Sequence, residues 1–289
     1  MRLVVVIATL GRRAQVARLV EFLARQSRLP DEVVLSAPDP SHVAWPDATP
    51  FPIRAVFGPI GSSVQRNTAL DAVGADFDIV TFLDDDFIPA HDYLAGVVAA
   101  FADDPGFAVV MGRVVRDGAA TAGLDWPEAM AALEAPDPRP PGRDVIDHVG
   151  AYGCNMSIRA SMIGGLRFDE RLVLYGWQED IDFTSRLRAR GRVVCVPGLR
   201  GVHLGLKAGR VSGRKFGYSQ VVNPVYLIRK RSVPAGFALR LMARNLAANL
   251  VRSLHPEPYV DRRGRLWGNL LGLAHVLRGR IEPEHALHL

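Results

Sequence analysis

At 289 residues, with 48% hydrophobic and 22% charged side chains, the chain has the composition of an ordinary globular protein and can bury a core and hold a cleft between two lobes. That balance, with no internal repeat of solenoid length, excludes disordered, fibrous and repeat-built architectures. The formal net charge of +5 is unevenly placed, with 19 Lys/Arg against 26 Asp/Glu in residues 1–199 and 16 against 4 in residues 200–289.

The first apolar run, Leu3 to Leu10, is too short to cross a bilayer and leads into Gly11-Arg12-Arg13 with no small-residue cleavage site. Its Val/Ile part, Leu3 to Ala8, predicts a parallel strand covered on both faces. Val16, Leu19, Val20 and Leu23 then repeat at helical spacing, and Glu32 to Ser36 predicts a second strand, giving βαβ. Ala37 to Pro52, rich in Pro, Asp and Ser, predicts a loop before a short strand at Ile53 to Phe57. A helix is expected from Ser62 or Ser63, either of which can cap it. Ile79 to Leu83 is a fourth apolar strand that runs into Asp84-Asp85-Asp86. Three carboxylates thus stand at a strand's C-terminal end, where open α/β sheets hold their ligands.

A helix from about His91 to Ala102 and a strand from Phe107 to Val115 follow. Prolines 127, 136, 138, 140 and 141 predict a long loop that divides the lobes. Cys154 to Arg159 predicts a strand, Glu179 to Arg190 a helix ended by Gly191, and Arg192 to Val196 another strand. Cys154 and Cys195, the two cysteines, form no CxxC and support neither a disulfide framework nor a cysteine zinc site, which fits a bacterial-type cytoplasm. From Val225 the pattern is mostly helical, broken at Pro234, Pro256 and Pro258. Between Gly236 and Leu254, apolar Phe237, Leu241, Leu246 and Leu250 alternate with Arg240, Arg244 and Arg252. This is an amphipathic helix, for which packing on the core or in a homodimer is preferred over lying on anionic lipid. The basic block as a whole can meet nucleic acid, anionic lipid or phosphorylated substrates, or form a solvated Arg-rich surface.

Adjacent carboxylates repel unless something positive neutralises them. A hard divalent cation, Mg²⁺ or Mn²⁺, does so and keeps positions open for water and phosphate oxygens. On an extended chain alternate residues share a side, so Asp84 and Asp86 can face one site while Asp85 faces away. A solvated acidic loop is the plainer reading of a bare triplet, and the apolar strand ahead of it favours the metal. The triplet alone does not separate glycosyl transfer from phosphoryl or nucleotidyl transfer.

Five segments, taken in order, resemble the inverting family 2 glycosyltransferases, which adopt the GT-A fold. They are Val4 to Arg12 at the first strand, Gly61-Ser62-Ser63-Val64-Gln65-Arg66-Asn67, Leu83 to Asp86, Gly153-Cys154-Asn155-Met156-Ser157-Ile158-Arg159, and Trp177-Gln178-Glu179-Asp180. The resemblance spans roughly residues 3–205 and rests on order and spacing. It implies a twisted, mostly parallel α/β sheet between helices. The expected parts are a nucleotide-sugar-binding lobe at 1–115, an acceptor-binding and catalytic lobe at 116–224, and a helical C-terminal extension at 225–289.

By that resemblance Asp84 lies on the donor's ribose side, with Asp85 beside it, and Asp86 and His203 hold the metal. Thr9 borders the nucleotide, Arg66 pairs with base or phosphate groups, and Asn155 bonds the donor sugar. Many relatives carry an Asp-rich turn after the second strand; here the chain reads Leu35-Ser36-Ala37-Pro38-Asp39, with Asp39 the displaced candidate for reading the base. Asp180 is the implied general base. Counted round its helix it shares a face with Phe183, Thr184 and Leu187, whereas an acidic first turn that merely complements the helix dipole suits Asp182 better. Trp177 offers a flat wall to an acceptor sugar, with Glu179 adjoining. Lys207, Arg210, Arg214 and Lys215, among Gly205, Gly209, Gly213 and Gly217, resemble a mobile loop that closes over the donor diphosphate.

The implied activity is transfer of a hexose-like unit from a UDP-, GDP- or dTDP-sugar to a glycan, lipid-linked or small-molecule acceptor, in glycan, glycolipid or polysaccharide synthesis. It needs no nucleic-acid partner and fits the cytoplasm or the inner face of the membrane. A sugar nucleotidyltransferase would need a glycine-rich basic phosphate loop after the first strand, of which Gly11-Arg12-Arg13 is a poor version. A non-catalytic nucleotide-sugar-binding scaffold is the other alternative, and intact Asp86 and Asp180 argue against it.

Overall fold

The run read as the first strand forms β1 (Leu3–Ala8), which pairs in parallel with β2 (Glu32–Ala37) on one side and β4 (Ile79–Asp84) on the other. Leu3, Val5 and Ile7 pack on α1 (Arg13–Leu23) and α3 (Tyr93–Asp103). Val4 and Val6 point the other way, into a layer with α2 (Ser62–Val73) and α6 (Glu179–Leu187). Helices cover both faces, which is why β1 shows no polar alternation. The computed structural model describes residues 1–74, 76–137, 145–207 and 212–289.

The full sheet runs β3 (Ile53–Phe57), β2, β1, β4, β8 (Asn155–Arg159), β6 (Phe107–Asp117), β9 (Arg192–His203) and β5 (Phe87–Pro89), with β7 (Ile146–Asp147) paired to β9. It is parallel from β3 to β4, turns antiparallel on both sides of β8, and is parallel again between β6 and β9. Two pairings position the candidate site. β5 sets Phe87 opposite His203, and β6 sets Asp117 opposite the same residue, so three strand ends meet beside the acidic triplet.

Several expectations are corrected. Neither Ser62 nor Ser63 caps α2: Gly61 holds the cap position at φ 144°, while Ser62 Oγ donates to Glu179 and Ser63 Oγ to the Leu172 carbonyl. The proline-rich loop contains α4 (Trp126–Glu134), begun by a capping box between Asp125 and Glu128, with Pro127 in a first turn whose N–H groups need no helical partner. Pro138, Pro140 and Pro141 lie outside the described residues.

The third correction concerns the glycine-rich stretch. Gly209 and Arg210 lie outside the described residues, but Arg214 and Lys215 belong to the first turn of α7 (Gly213–Lys230). Here the glycines serve packing. A Cβ at Gly217 would strike the Arg265 carbonyl of α9 (Arg262–Leu277), and one at Gly268 would strike the Arg214 carbonyl, so the two helices approach backbone to backbone. Gly213/Gly217 and Gly264/Gly268/Gly272 recur every four residues, a spacing that marks one close-packed face on each helix.

A one-turn α5 (Ala160–Ile163) follows β8, and α8 (Ala235–Arg252) joins α7 to α9. Lys230, at the end of α7, reaches Asp169 at 2.6 Å and the fully buried Asp182 of α6 at 2.8 Å. Asp182 is therefore a buried ion-pair member and not a solvated complement to the helix dipole. Residue 115 falls inside β6 and residue 224 inside α7, so both expected boundaries lie within elements. Among the described residues no helix is long and apolar enough to cross a membrane.

Candidate active site

The C-terminal ends of β1 and β4 meet the end of β9 and the start of α6 through the contacts of Thr9, Asp84, Asp85 and Asp86. The chain turns sharply at Asp85–Asp86 between β4 and β5, so the three carboxylates fan apart. Asp85 is turned inward: its Oδ2 accepts from Thr9 Oγ1 at 2.6 Å and its Oδ1 from Arg12 at 2.7 Å. Asp84 and Asp86 face the other way with His203, and one ligand atom from each lies within 4.8 Å of the others.

His203 is held in place for such a role. Its Nδ1 lies 2.9 Å from Asp117 and 3.1 Å from the Tyr152 hydroxyl, which leaves Nε2 directed at Asp86, 3.3 Å away. A carboxylate behind a histidine fixes the ring and its tautomer, as at many metal centres. Burial disfavours the imidazolium, but hydrogen bonds to Asp117 and Asp86 outweigh it and carry the His203 pKa up to about 10. Asp86 moves down: burial opposes ionisation, while His203, Arg12 and the Leu206 amide, 2.8 Å from Oδ2, favour it.

The opposite wall is organised by Arg66 of α2, only 5% exposed. One guanidinium nitrogen pairs with Glu179, and the other donates to Asp84 Oδ1 at 3.0 Å and to the Gly153 carbonyl at 3.2 Å. Gly153 in turn donates its N–H to Asp180 Oδ2 at 2.7 Å, and the Ile181 N–H meets Oδ1 at the same distance. A Cβ at Gly153 would press on Asp180 and Arg66 together, so only glycine lets the backbone approach this closely.

The family model described as Glycosyl transferase family 2 matches residues 4–164, more than half of the chain. The chain belongs to this family. No curated protein matches the sequence. Among solved structures the glycosyltransferase is similar to residues 1–349 of S. aureus TarS in complex with UDP-GlcNAc, at 13% identity and TM-score 0.56, covering 97% of this chain and 83% of that one. It is also similar to the mannosyltransferase PcManGT from Pyrobaculum calidifontis in complex with GDP-Man and Mn²⁺, at 18% identity and TM-score 0.51, covering 99% and 85%. At these identities the likeness is one of fold.

The residues singled out in the glycosyltransferase sequence divide into two sets. Thr9, Asp84, Asp85, Asp86, Arg66, Asp180 and His203 are brought together by the contacts above. Asp39 lies at the rim past β2, paired at 3.4 Å with His42, whose Nδ1 accepts from the Gly11 N–H. Asn155 is fully buried, with its Nδ2 on the Gly112 carbonyl and its Oδ1 without a hydrogen-bond partner among the described residues. Glu179 is 6% exposed and committed to Arg66 and Ser62, which removes it from contact with an acceptor. Trp177 stands edge-on to Phe216 at 5.1 Å, beside the exposed Tyr175. Lys207 donates to the carbonyls of Gly118 and Ala119. Arg12, His42, Asp117 and Tyr152 were not anticipated, because their partners lie 31 to 86 residues away in sequence.

Arg66 faces more carboxylate than one cation can neutralise. Burial, followed by the charge of Asp180, raises the Glu179 pKa from 4.5 to about 8 against the pull of Arg66. Burial moves Asp180 upward as well, opposed by Arg66 and the two backbone N–H groups. Because the folded-state value of Glu179 lies above its unfolded one, its contribution to stability is complete below pH 4.5 and is lost as the pH rises through about 8. Thermal melts should show Tm falling across that interval, and Glu179→Gln should flatten the fall. An unchanged slope in the variant would assign the titration elsewhere.

Proposed function

We propose that this family 2 glycosyltransferase is metal-dependent and inverting, and transfers a hexose-like unit from a UDP-, GDP- or dTDP-sugar to the hydroxyl of a glycan, lipid-linked or small-molecule acceptor. The observation that carries the reading is the link from the Asp84–Asp86–His203 cluster through Arg66 and Gly153 to the carboxylate of Asp180. A leaving-group site and a proton acceptor are thus joined by one chain of hydrogen bonds.

The donor set of the cluster, two carboxylates and an imidazole that gives up its Nε2 proton on binding, fits Mn²⁺ or Mg²⁺, and the Asp117 contact turns the correct nitrogen of His203 inward. A divalent ion held there supplies the positive charge that a departing nucleoside diphosphate requires. Arg12 favours the ionised forms of Asp85 and Asp86 from behind, against the burial that carries Asp85 up to about 6, and Thr9 fixes Asp85. The edge formed by Gly11, Asp39 and His42 is the position for the nucleotide base.

Of the adjacent pair Glu179 and Asp180, the first is taken up by Arg66, leaving Asp180 to act as base. It takes the proton of the acceptor hydroxyl as that oxygen attacks the anomeric carbon, the sugar–diphosphate bond breaks, and the configuration inverts. An elevated proton affinity suits this task. Trp177 and Tyr175 line the acceptor side. The complexes of TarS with UDP-GlcNAc and of PcManGT with GDP-Man and Mn²⁺ support the donor class and the ion.

The test is calorimetric titration of Mn²⁺ with a screen of nucleotide-sugars. Wild-type protein should bind Mn²⁺ and release nucleoside diphosphate from one donor. Asp86→Ala should lose both, with Mn²⁺ affinity lowered by at least roughly 10–100-fold. Unchanged Mn²⁺ binding in that variant would place the ion elsewhere, and donor binding without transfer to any acceptor would favour a non-catalytic role.

A further inference from the structure

The C-terminal helices leave an apolar face uncovered. α8 and α9 lie side by side on α7, joined by Asn249, whose Nδ2 reaches Gln220 at 2.8 Å and Asn269 at 2.9 Å. On the outward side of α8, Leu239, Leu246 and Leu250 recur at helical spacing, and Leu254 extends the row; Leu250 is 61% exposed and Leu254 73%. On α9, Trp267, Leu270 and Leu277 share one face, with Trp267 60% and Leu277 87% exposed. Scattered apolar side chains on a surface are ordinary, but two neighbouring helical rows are not. The sequence-based preference for packing this helix on the core does not hold for that side of it.

Charge identifies the occupant. Residues 1–230 hold 26 basic and 26 acidic side chains, and residues 231–289 hold nine arginines against four acids, so the whole formal net charge lies with these helices. Among the described residues Arg240, Arg244, Arg263 and Arg278, which flank the apolar rows, form no ion pair; Glu257 is already shared by Arg252 and Arg262. A symmetric contact with a second copy would bring these cations together, whereas a negatively charged bilayer meets them with opposite sign. Among the described residues no helix is long and apolar enough to cross a membrane.

We propose that the α8–α9 face binds the surface of bilayers carrying anionic headgroups, with Leu250, Leu254, Trp267 and Leu277 entering the acyl boundary and the flanking arginines meeting the headgroups. The test is flotation of the whole chain with vesicles of phosphatidylcholine alone and of phosphatidylcholine containing phosphatidylglycerol. Binding is expected only with the anionic vesicles, with a blue shift of Trp267 fluorescence and weakening at high salt. Leu250→Asp combined with Leu277→Asp should lower partitioning at least roughly tenfold. Both positions are exposed, so an unchanged circular dichroism spectrum and melt will show that the fold is kept.

Failure to float, or flotation indifferent to the double substitution, overturns the proposal. So does a dimer in light scattering that fails to float and that the double substitution dissociates, because a second copy would then cover the face. The readout uses neither donor nor acceptor and stands independently of the proposed glycosyl transfer.

Discussion

Replacing Asp180 with asparagine is expected to lower the turnover number about 10²–10⁴-fold while Mn²⁺ and donor binding stay near wild type. The carboxylate is held by the N–H groups of Gly153 and Ile181, each at 2.7 Å. An amide of the same shape keeps one of these bonds and cannot accept the acceptor's proton. The contacts of its neighbours are kept, since the hydrogen bonds that link the Asp84 carboxylate to Asp180 run through Arg66 and Gly153. Nucleoside diphosphate release in the presence of acceptor, set beside donor affinity by calorimetry, separates chemistry from binding. A turnover number within a few fold of wild type would remove Asp180 from the role of base and return attention to its neighbours on α6.

The largest effect on stability is expected at Arg66. Removing one partner of a buried ion pair typically costs about 3–5 kcal/mol, because the remaining charge is left without compensation. Here Arg66→Met leaves Glu179 and Asp84 without their shared cation and Asp180 without its nearest counter-charge. The loss should lie toward the lower end of that range at neutral pH, where Glu179, carried up to about 8, is already largely protonated. Adding Glu179→Gln to Arg66→Met should recover part of it, whereas two independent sites would simply add. Denaturant unfolding measures both. A loss below about 1 kcal/mol for Arg66→Met would mean that the carboxylates are relieved by other means.

Much of the fold was legible because both faces of the central strands are buried. Leu3 to Ala8 and Ile79 to Leu83 are apolar without interruption, and little but a covered parallel strand fits that pattern. The acidic triplet was readable for the same reason, since a strand of known direction places its end. What escaped was set by pairing. β9 was expected to stop at Val196, before Pro197-Gly198, yet it continues to His203: residues 197–199 bulge out between the Gly112–Val196 and Arg113–Arg200 pairs. A bulge has no need of the N–H that proline lacks. That continuation brings His203 beside Asp86, a juxtaposition that no local spacing encodes. Arg12 on Asp85 and Asp117 on His203 are contacts across 73 and 86 residues, legible only once the strands are aligned. Glu179 and Asn155 show the converse: sequence gives the motif they belong to but not the buried partners their side chains meet, Arg66 for one and the Gly112 carbonyl for the other.

The ion pair at the end of α7 bears on how much of the chain the catalytic part requires. The family match ends at residue 164, and Asp180 follows only sixteen positions later, which invites a minimal enzyme that stops soon after β9. Lys230 argues against so short a piece. It joins Asp182, one turn into the helix that carries Asp180, to Asp169 ahead of that helix. Cut before Lys230, the chain would leave Asp182 with Arg186 as its remaining ion-pair partner and the helix of Asp180 without its clamp. The structural unit that holds the helix of Asp180 therefore reaches some sixty-five residues past the family match, to a lysine that looks, in sequence, like the end of an ordinary surface helix.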